Sequence, residues 1–167
     1  EGHYYLTQNV QLNQVWVCPT GVKLCLNGYS ITRTNCVADS TDGNNAVIKI
    51  NKGTKFWLTD CKTPDKVGKI THAEGASGEG VYNAGTFYMY NGKISGNDGG
   101  VKNTNLFSMY GGTITANTST KKGGGVYNSG TGEITMFGGQ IANNTANQEG
   151  GGVYNDDGKI MMYEGQI

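Results

Sequence analysis

The 167-residue sequence lacks the features that define several large classes of protein. Its 13 basic and 13 acidic residues leave no net charge, which argues against a nucleic-acid partner. Charged residues are only 16% of the chain, too few for a charged coiled coil or an acidic disordered tail. No apolar run approaches the roughly 18 residues that cross a bilayer, so this segment is not expected to insert into a membrane. Two prolines without a Gly-X-Y repeat exclude collagen.

Cysteine and histidine are also scarce. The four cysteines all lie in the first 61 residues, at Cys18, Cys25, Cys36 and Cys61. They show no CxxC spacing, and only His3 and His72 could join them as ligands, so we expect no metal ion and no other cofactor. Disulfides formed in an oxidising compartment are the favoured interpretation, with reduced, buried thiols as the alternative. The residues themselves leave three pairings open.

Glycine, with 28 residues, and recurrent Asn and Thr are abundant, which disfavours a helical bundle. They belong to a repeat. The tripeptide Val-Tyr-Asn at 81–83 returns at 126–128 and 153–155, and as Val-Lys-Asn at 101–103. A methionine follows eight to ten residues later, at Met89, Met109, Met136 and Met162, and an isoleucine five residues beyond it, at Ile94, Ile114, Ile141 and Ile167. An apolar residue two positions before each Met gives the alternation that predicts a strand.

The same frame extends into the first half of the chain. In one earlier coil, Val17, Leu24, Leu26 and Ile31 are predicted to match Val81, Phe87, Met89 and Ile94. In the next coil, the matching residues are Ile48 or Ile50, then Phe56, Leu58 and Ile70. Ile70 is displaced by a loop of about seven extra residues, from Cys61 to Val67.

Each unit, with three short strands, is too small to bury its own apolar face and must stack on its neighbours. Parallel stacking at about 4.8 Å pairs the backbone from coil to coil. The sequence therefore predicts an all-β fold, a single-stranded parallel β-helix (a solenoid) of about six coils. It forms one domain over 1–167, with an N-terminal cap at 1–14, irregular coils with the cysteines at 15–80 and regular repeats at 81–167. The last coil is incomplete at Ile167, so the natural protein is expected to continue.

Some repeated polar residues are also expected to have a structural role. Two columns of asparagine are predicted to form ladders, Asn83, Asn103, Asn128 and Asn155 in one, and Asn97, Asn117 and Asn144 in the other. We expect both columns at corners with a left-handed backbone. The glycine clusters at 123–125 and 150–152 are likewise expected to need positive φ.

Two outward columns of aromatic side chains are candidate ligand-binding residues. One directly follows the methionines and comprises Tyr90, Tyr110, Phe137 and Tyr163; the second comprises Tyr82, Tyr127 and Tyr154 and is interrupted by Lys102. If the methionines point inward, strand alternation sends these rings outward, one per coil. Aromatic ladders can bind sugars, and the same stacking can also stiffen the outer face of a β-helix. The face carrying Tyr90 is the best place to look for a partner.

No catalytic residues are expected. A polygalacturonase-type site needs two or three carboxylates that face one another from adjacent coils. The acids never share a repeat position in successive coils: Asp98, Glu133, Asp156, Asp157 and Glu164. A lyase needs a calcium-binding carboxylate cluster and a base. Arg33, the single arginine, is predicted to lie in an irregular loop, and His72 in the loop from Ile70 to Gly80.

Several segments carry a family resemblance. Leu24-Cys25-Leu26-Asn27-Gly28, Leu58-Thr59-Asp60-Cys61 and the later Gly-Gly-Val-Tyr-Asn and Gly-Gly-x-Ile units resemble the β-helix regions of repetitive, adhesin-like cell-surface proteins of gut Gram-positive bacteria. The resemblance covers essentially the whole chain. It implies a right-handed helix, an extracellular location on the bacterial cell surface and a Cys25–Cys61 disulfide, which leaves Cys18 with Cys36. The repeat frame, in contrast, puts Cys25 and Cys61 at different positions of adjacent coils.

These observations lead to two functional hypotheses. The favoured one is a non-catalytic binding or spacer module of a secreted bacterial surface protein, whose partner is a host or dietary glycan or a host surface protein. The alternative is a fragment of a carbohydrate-active enzyme, a polysaccharide lyase or glycoside hydrolase, whose catalytic coils lie outside this chain. Turnover of a polysaccharide would distinguish the second from the first.

Overall fold

The computed structural model describes residues 2–36, 43–61 and 66–167, and they form the predicted all-β parallel β-helix. The strands in chain order are β1 (Gly2–Tyr5), β2 (Val10–Leu12), β3 (Trp16–Val17), β4 (Val22–Cys25), β5 (Ile31–Arg33), β6 (Ile48–Ile50), β7 (Lys55–Thr59), β8 (Lys69–His72), β9 (Val81–Asn83), β10 (Thr86–Met89), β11 (Lys93–Ile94), β12 (Val101–Asn103), β13 (Leu106–Met109), β14 (Thr113–Thr115), β15 (Thr118–Ser119), β16 (Val126–Ser129), β17 (Glu133–Ala142), β18 (Thr145–Ala146), β19 (Val153–Asp156) and β20 (Lys159–Gln166). Every pairing among them is parallel.

The strands stack into three faces, which the chain visits in the same order in each coil. Face 1 contains β1, β4, β7, β10 and β13; face 2 contains β2, β5, β8, β11 and β14; face 3 contains β3, β6, β9, β12, β16 and β19. The long strands β17 and β20 run from face 1 into face 2. The short pair β15 and β18 lies at the corner between faces 2 and 3. Because the strands are in register, equivalent side chains form columns along the helix axis.

Four apolar columns fill the interior. Their members are Trp16, Ile48, Val81, Val101, Val126 and Val153; Val22, Phe56, Phe87, Phe107, Ile134 and Ile160; Leu24, Leu58, Met89, Met109, Met136 and Met162; and Val10, Ile31, Ile70, Ile94, Ile114 and Ile141. In the second of these columns the phenylalanine rings stack: the ring centroid of Phe87 lies 5.8 Å from that of Phe56 and 5.0 Å from that of Phe107. At about 25 cal/mol per Å² of buried apolar area, these columns dominate the stability of the fold.

Three predicted positions in the first half of the chain are wrong, two on face 1 and one on face 3. Val22 and Leu24, rather than Leu24 and Leu26, match Phe87 and Met89. The cause is a left-handed turn at Asn27 and Gly28, with φ of 51° and 74°, that lengthens the corner after β4. Leu26 is buried within this corner.

On face 3, Trp16 rather than Val17 occupies the position of Val81. Trp16 pairs with Ile48, its ring contacts Phe56 edge-on at 5.8 Å, and Val17 points outward and is 46% exposed. Of the two candidates in the next coil, Ile48 is the residue that pairs with Val81. A large ring therefore fills the interior where the first complete coil begins.

The end segments form the outermost layers of the stack. Strands β1 and β2 pair in parallel with β4 and β5, so the segment predicted to be a cap is built as a further coil layer. At the other end, Met162 pairs with Met136 and continues its column. It is 47% exposed because it belongs to the last coil, whereas Met89, Met109 and Met136 are fully buried.

Both asparagine ladders are present. In face 3, each Nδ2 donates to Oδ1 of the next coil at 2.6–2.7 Å, along Asn83, Asn103, Asn128 and Asn155. In the corner ladder of Asn97, Asn117 and Asn144, the same bonds measure 2.9 Å, and each Nδ2 also donates to the backbone oxygen of an isoleucine. His72 continues the corner ladder on the N-terminal side, with Nδ1 2.8 Å from Asn97 Oδ1.

The expected left-handed backbone does not fall on the ladder residues. In the corner ladder it lies one residue earlier, at Gly96, Ala116 and Asn143, with φ of 69°, 52° and 55°, and the face-3 ladder residues lie in strands without it. The ladder asparagines keep an ordinary backbone because their side chains must point inward. In the glycine clusters, similarly, only Gly123 and Gly150 have positive φ.

Candidate functional site

The aromatic column, defined as Tyr90, Tyr110, Phe137 and Tyr163, runs along the outer edge of face 1. Each ring directly follows an inward methionine, so strand alternation sends it outward. Successive ring centroids lie 4.7, 4.9 and 5.3 Å apart, with planes within 13° of parallel. The side chains are 40–67% exposed. The structure thus brings together the four residues of the first predicted column.

The stacking determines which parts of these rings a ligand can reach. Since parallel rings follow one another at the spacing of the coils, the inner rings turn their π-faces toward each other and their edges and hydroxyls toward solvent. Burial, and then the neighbouring phenols of Tyr90 and Tyr88, raise the pKa of the Tyr110 hydroxyl. This hydroxyl therefore remains a hydrogen-bond donor at neutral pH.

A second stacked pair lies beside the column and was not predicted. Trp57 and Tyr88 pair in register on the outside of face 1, with ring centroids 5.3 Å apart, and the Lys23 ammonium lies 5.3 Å from the Trp57 ring centroid. The pair adjoins the column, because Tyr88 lies two positions before Tyr90 on the same side of the chain. The sequence could have predicted this pair, because each residue directly follows a phenylalanine that points inward. We call the column together with Trp57 and Tyr88 the aromatic surface.

The second predicted column lies on the outside of face 3 as a mixed tyrosine–lysine column. Its members in register are Lys49, Tyr82, Lys102, Tyr127 and Tyr154. Lys102 does not interrupt it, since its Nζ lies 5.7 Å and 5.9 Å from the ring centroids of Tyr82 and Tyr127. Tyr127 stacks on Tyr154 at 5.6 Å. Each such cation–π contact contributes about 0.5–1 kcal/mol at an exposed site.

A cleft of about 640 Å³ opens at the corner between faces 2 and 3, next to this column; we call it the corner cleft. Its lining includes Glu79, Asp98, Lys102, Lys121 and Tyr127. The repeat pattern did not predict it, because the corner loops that form it differ in length from coil to coil and leave no common spacing to align.

Asp98 holds the walls of the corner cleft together. Its carboxylate accepts hydrogen bonds from Ser77 Oγ at 2.9 Å and from the backbone N–H and hydroxyl of Thr120 at 2.7 and 3.0 Å. These three residues belong to three successive corner loops. The carboxylate therefore links three loops, and the cleft is preorganised.

Two basic residues predicted in loops lie in strands instead. Arg33 ends β5, is buried, and donates through Nη1 to the backbone oxygens of Asn44 and Ala46, both at 2.6 Å. His72 ends β8, is also buried, and has Nε2 2.9 Å from the backbone oxygen of Asn45. Both side chains hold the segment before β6, which is a structural role.

One of the two disulfides implied by the resemblance is present. Cys25 and Cys61 are bonded, with Cα atoms 5.9 Å apart, although the repeat frame had argued against the pair. The predicted Cys18–Cys36 bond is wrong, since both are free thiols. Cys18 follows a strand of face 3 and Cys36 a strand of face 2, so they lie at different corners of the coil. Burial raises the pKa of the Cys18 thiol to about 12.

Comparisons with protein-family models, with curated proteins and with solved structures found no match for this chain. Among residues 2–36, 43–61 and 66–167, no group of three His, Cys, Asp or Glu side chains is placed to hold a metal ion. The same residues contain no helix long and apolar enough to span a membrane.

Proposed function

We propose that this chain is a non-catalytic, extracellular, adhesin-like module of a bacterial surface protein, which presents its aromatic surface to a glycan. The observation that carries the proposal is the stacked aromatic column, a line of exposed rings on a packed interior. Rings that are already stacked lose little conformational freedom on binding, which favours affinity. A line of equivalent groups at the coil spacing suits an extended ligand that follows the helix axis.

A glycan fits the chemistry of this surface better than an apolar protein segment. Three of the four column rings carry a hydroxyl, and with Tyr88 they supply donors and acceptors beside apolar ring edges. Sugar rings have the same mixture of hydroxyl groups and apolar C–H edges. Contact is expected through ring edges and hydroxyls, because the π-faces of the inner rings are already occupied.

The extracellular part of the proposal is supported by the Cys25–Cys61 disulfide, since such bonds persist mainly in oxidising compartments. The resemblance to adhesin-like proteins supports the surface location.

The proposal is tested by combining a glycan array with product analysis on pectin, alginate and host mucin. We expect binding to at least one glycan without release of new reducing or unsaturated ends. Replacing Tyr110→Ser and Phe137→Ser together should weaken that binding at least tenfold. The matched control is Gln140→Ala, an exposed change on the outside of face 2 in the same coil as Phe137, which should leave binding unchanged.

Thermal unfolding followed by circular dichroism identifies variants that fail to fold. Cleavage products from any of these polysaccharides would overturn the non-catalytic assignment. Glycan binding that persists in the folded double variant would show that the aromatic surface is not the binding site.

A further inference from the structure

Three lysines line the corner cleft, Lys102, Lys121 and Lys122, and one of them is held in an ion pair. Lys122 is ion-paired with Glu149 at 2.7 Å and contacts the Tyr154 hydroxyl at 2.8 Å. Lys102 and Lys121 also line the cleft, but within the described parts of the chain neither forms an ion pair. Lys102 is held between two tyrosine rings, which positions its ammonium group without neutralising it. Two ammonium groups are thus available to an anion.

The same cleft offers acceptors for hydroxyl groups. Asp98 is fixed by its bonds to Ser77 and Thr120, and Glu79 lies on the same wall. Lys102 and Lys121 line the same cleft as Glu79; burial raises the pKa of the Glu79 carboxyl, and the two lysines oppose that effect. Carboxylates are good acceptors for sugar hydroxyls, whereas they would repel an anion that carries no donors.

We propose that the corner cleft is a second binding site, separate from the aromatic surface, that takes a sugar bearing a carboxylate, such as a uronate. The ligand carboxylate binds Lys102 and Lys121, and its hydroxyls donate to Asp98 and Glu79. Opposite charges on one small wall select a ligand that is anionic at one side and rich in hydroxyl donors at the other. A simple anion satisfies only half of this arrangement.

The test is binding of a uronate oligosaccharide, followed by isothermal titration calorimetry and by amide chemical-shift changes in the folded chain. The matched probe is the same oligosaccharide with its carboxyl groups reduced to alcohols. We expect shifts at Lys121 and Tyr127, and at least tenfold weaker binding of the reduced probe. Lys121→Gln should weaken uronate binding about tenfold, and Lys121→Arg should retain it.

The control variant is Lys69→Gln, an exposed lysine on face 2 outside the cleft, which should bind like the native chain. Equal binding of the two probes, equal loss in Lys69→Gln, or equal affinity for inorganic sulfate would overturn the proposal. Shifts confined to the aromatic surface would also overturn it. The double variant Tyr110→Ser and Phe137→Ser should keep the uronate affinity, so failure of either site can be told from failure of the other.

Discussion

His72 shows how a single buried side chain adjusts to its place in a ladder. Its Nδ1 stands where an asparagine Nδ2 would donate, facing Asn97 Oδ1, and its Nε2 faces the backbone oxygen of Asn45. Two oxygen acceptors favour a doubly protonated ring. Burial opposes that charge more strongly, with Arg33 adding to the effect, and the pKa of His72 is lowered from its usual value of 6.5.

A lowered pKa makes stability depend on pH in a defined direction. Above pH 6.5 the ring is neutral in both states, and its contribution is fully present. As the pH falls below 6.5, the unfolded chain takes up a proton that the folded chain resists, so the free energy of unfolding decreases until the folded pKa is passed. We expect urea unfolding at pH 7.5, 6.5 and 5.5 to show a steeper loss in the native chain than in His72→Asn, whose side chain does not titrate. His3→Asn, a change in the exposed first strand, is the control, and parallel profiles for native and His72→Asn would contradict the assignment.

At the scale of elements, the face-3 strands depend on a column of glycines that precedes them. Gly80, Gly100, Gly125 and Gly152 each lie directly before the first residue of such a strand. A methyl group at Gly125 would lie 2.6 Å from Ile141 Cγ2 and 2.8 Å from Asn144 Nδ2, and closer still to the backbone oxygen of Gly152. Close approach of the next coil, rather than backbone conformation, excludes a side chain here.

Gly125→Ala should therefore strain the contact between two coils. We expect a loss of about 2–3 kcal/mol in the free energy of unfolding, as for overpacked interiors. Gly130→Ala is the matched control. Nothing lies within 4 Å of its added methyl, so only the positive φ of 59° is penalised, by about 1 kcal/mol. If chemical denaturation gave Gly125→Ala and Gly130→Ala the same loss in free energy of unfolding, packing between coils would not be what excludes a side chain at Gly125.

The elements of the regular repeats could be predicted because each residue there has an equivalent one coil away. Met89, Met109 and the asparagine ladders follow directly from equal spacing. The strands in the first half of the chain could not be predicted to the same accuracy, because the turn at Asn27 and Gly28 adds residues that the repeat does not contain. The corner cleft was missed for the same reason, because side chains from loops of unequal length meet only after folding.

At the scale of the molecule, the coil is the unit of length. Residues 87–106 form one complete coil, since Phe87 pairs with Phe107 and Thr86 with Leu106. Their removal joins Thr86 to Phe107 and leaves every column in register. Asn83 would then meet Asn128, and His72 would meet Asn117, so both ladders would close again.

We expect the chain without residues 87–106 to fold cooperatively, with strand-type circular dichroism and lower stability in proportion to the lost core. Removing one residue fewer, 87–105, would place Leu106 at the inward position of Phe87 and reverse the inward and outward sides of the strand. That variant should show no cooperative unfolding transition. Similar melting curves for the two deletions would show that stability does not depend on keeping the interior columns in register.

The hydrogen bonds within the two asparagine ladders all have the same sense. Within each ladder, Nδ2 donates to Oδ1 of the coil that follows, from Asn83 through Asn103 and Asn128 to Asn155, and from Asn97 through Asn117 to Asn144. The side-chain dipoles therefore add instead of cancelling, as peptide dipoles do in an α-helix. Each ladder is electrically oriented, with partial positive charge toward the C-terminal coils and partial negative charge toward the N-terminal ones. The ladder dipoles of two such molecules would favour a head-to-tail over a head-to-head approach.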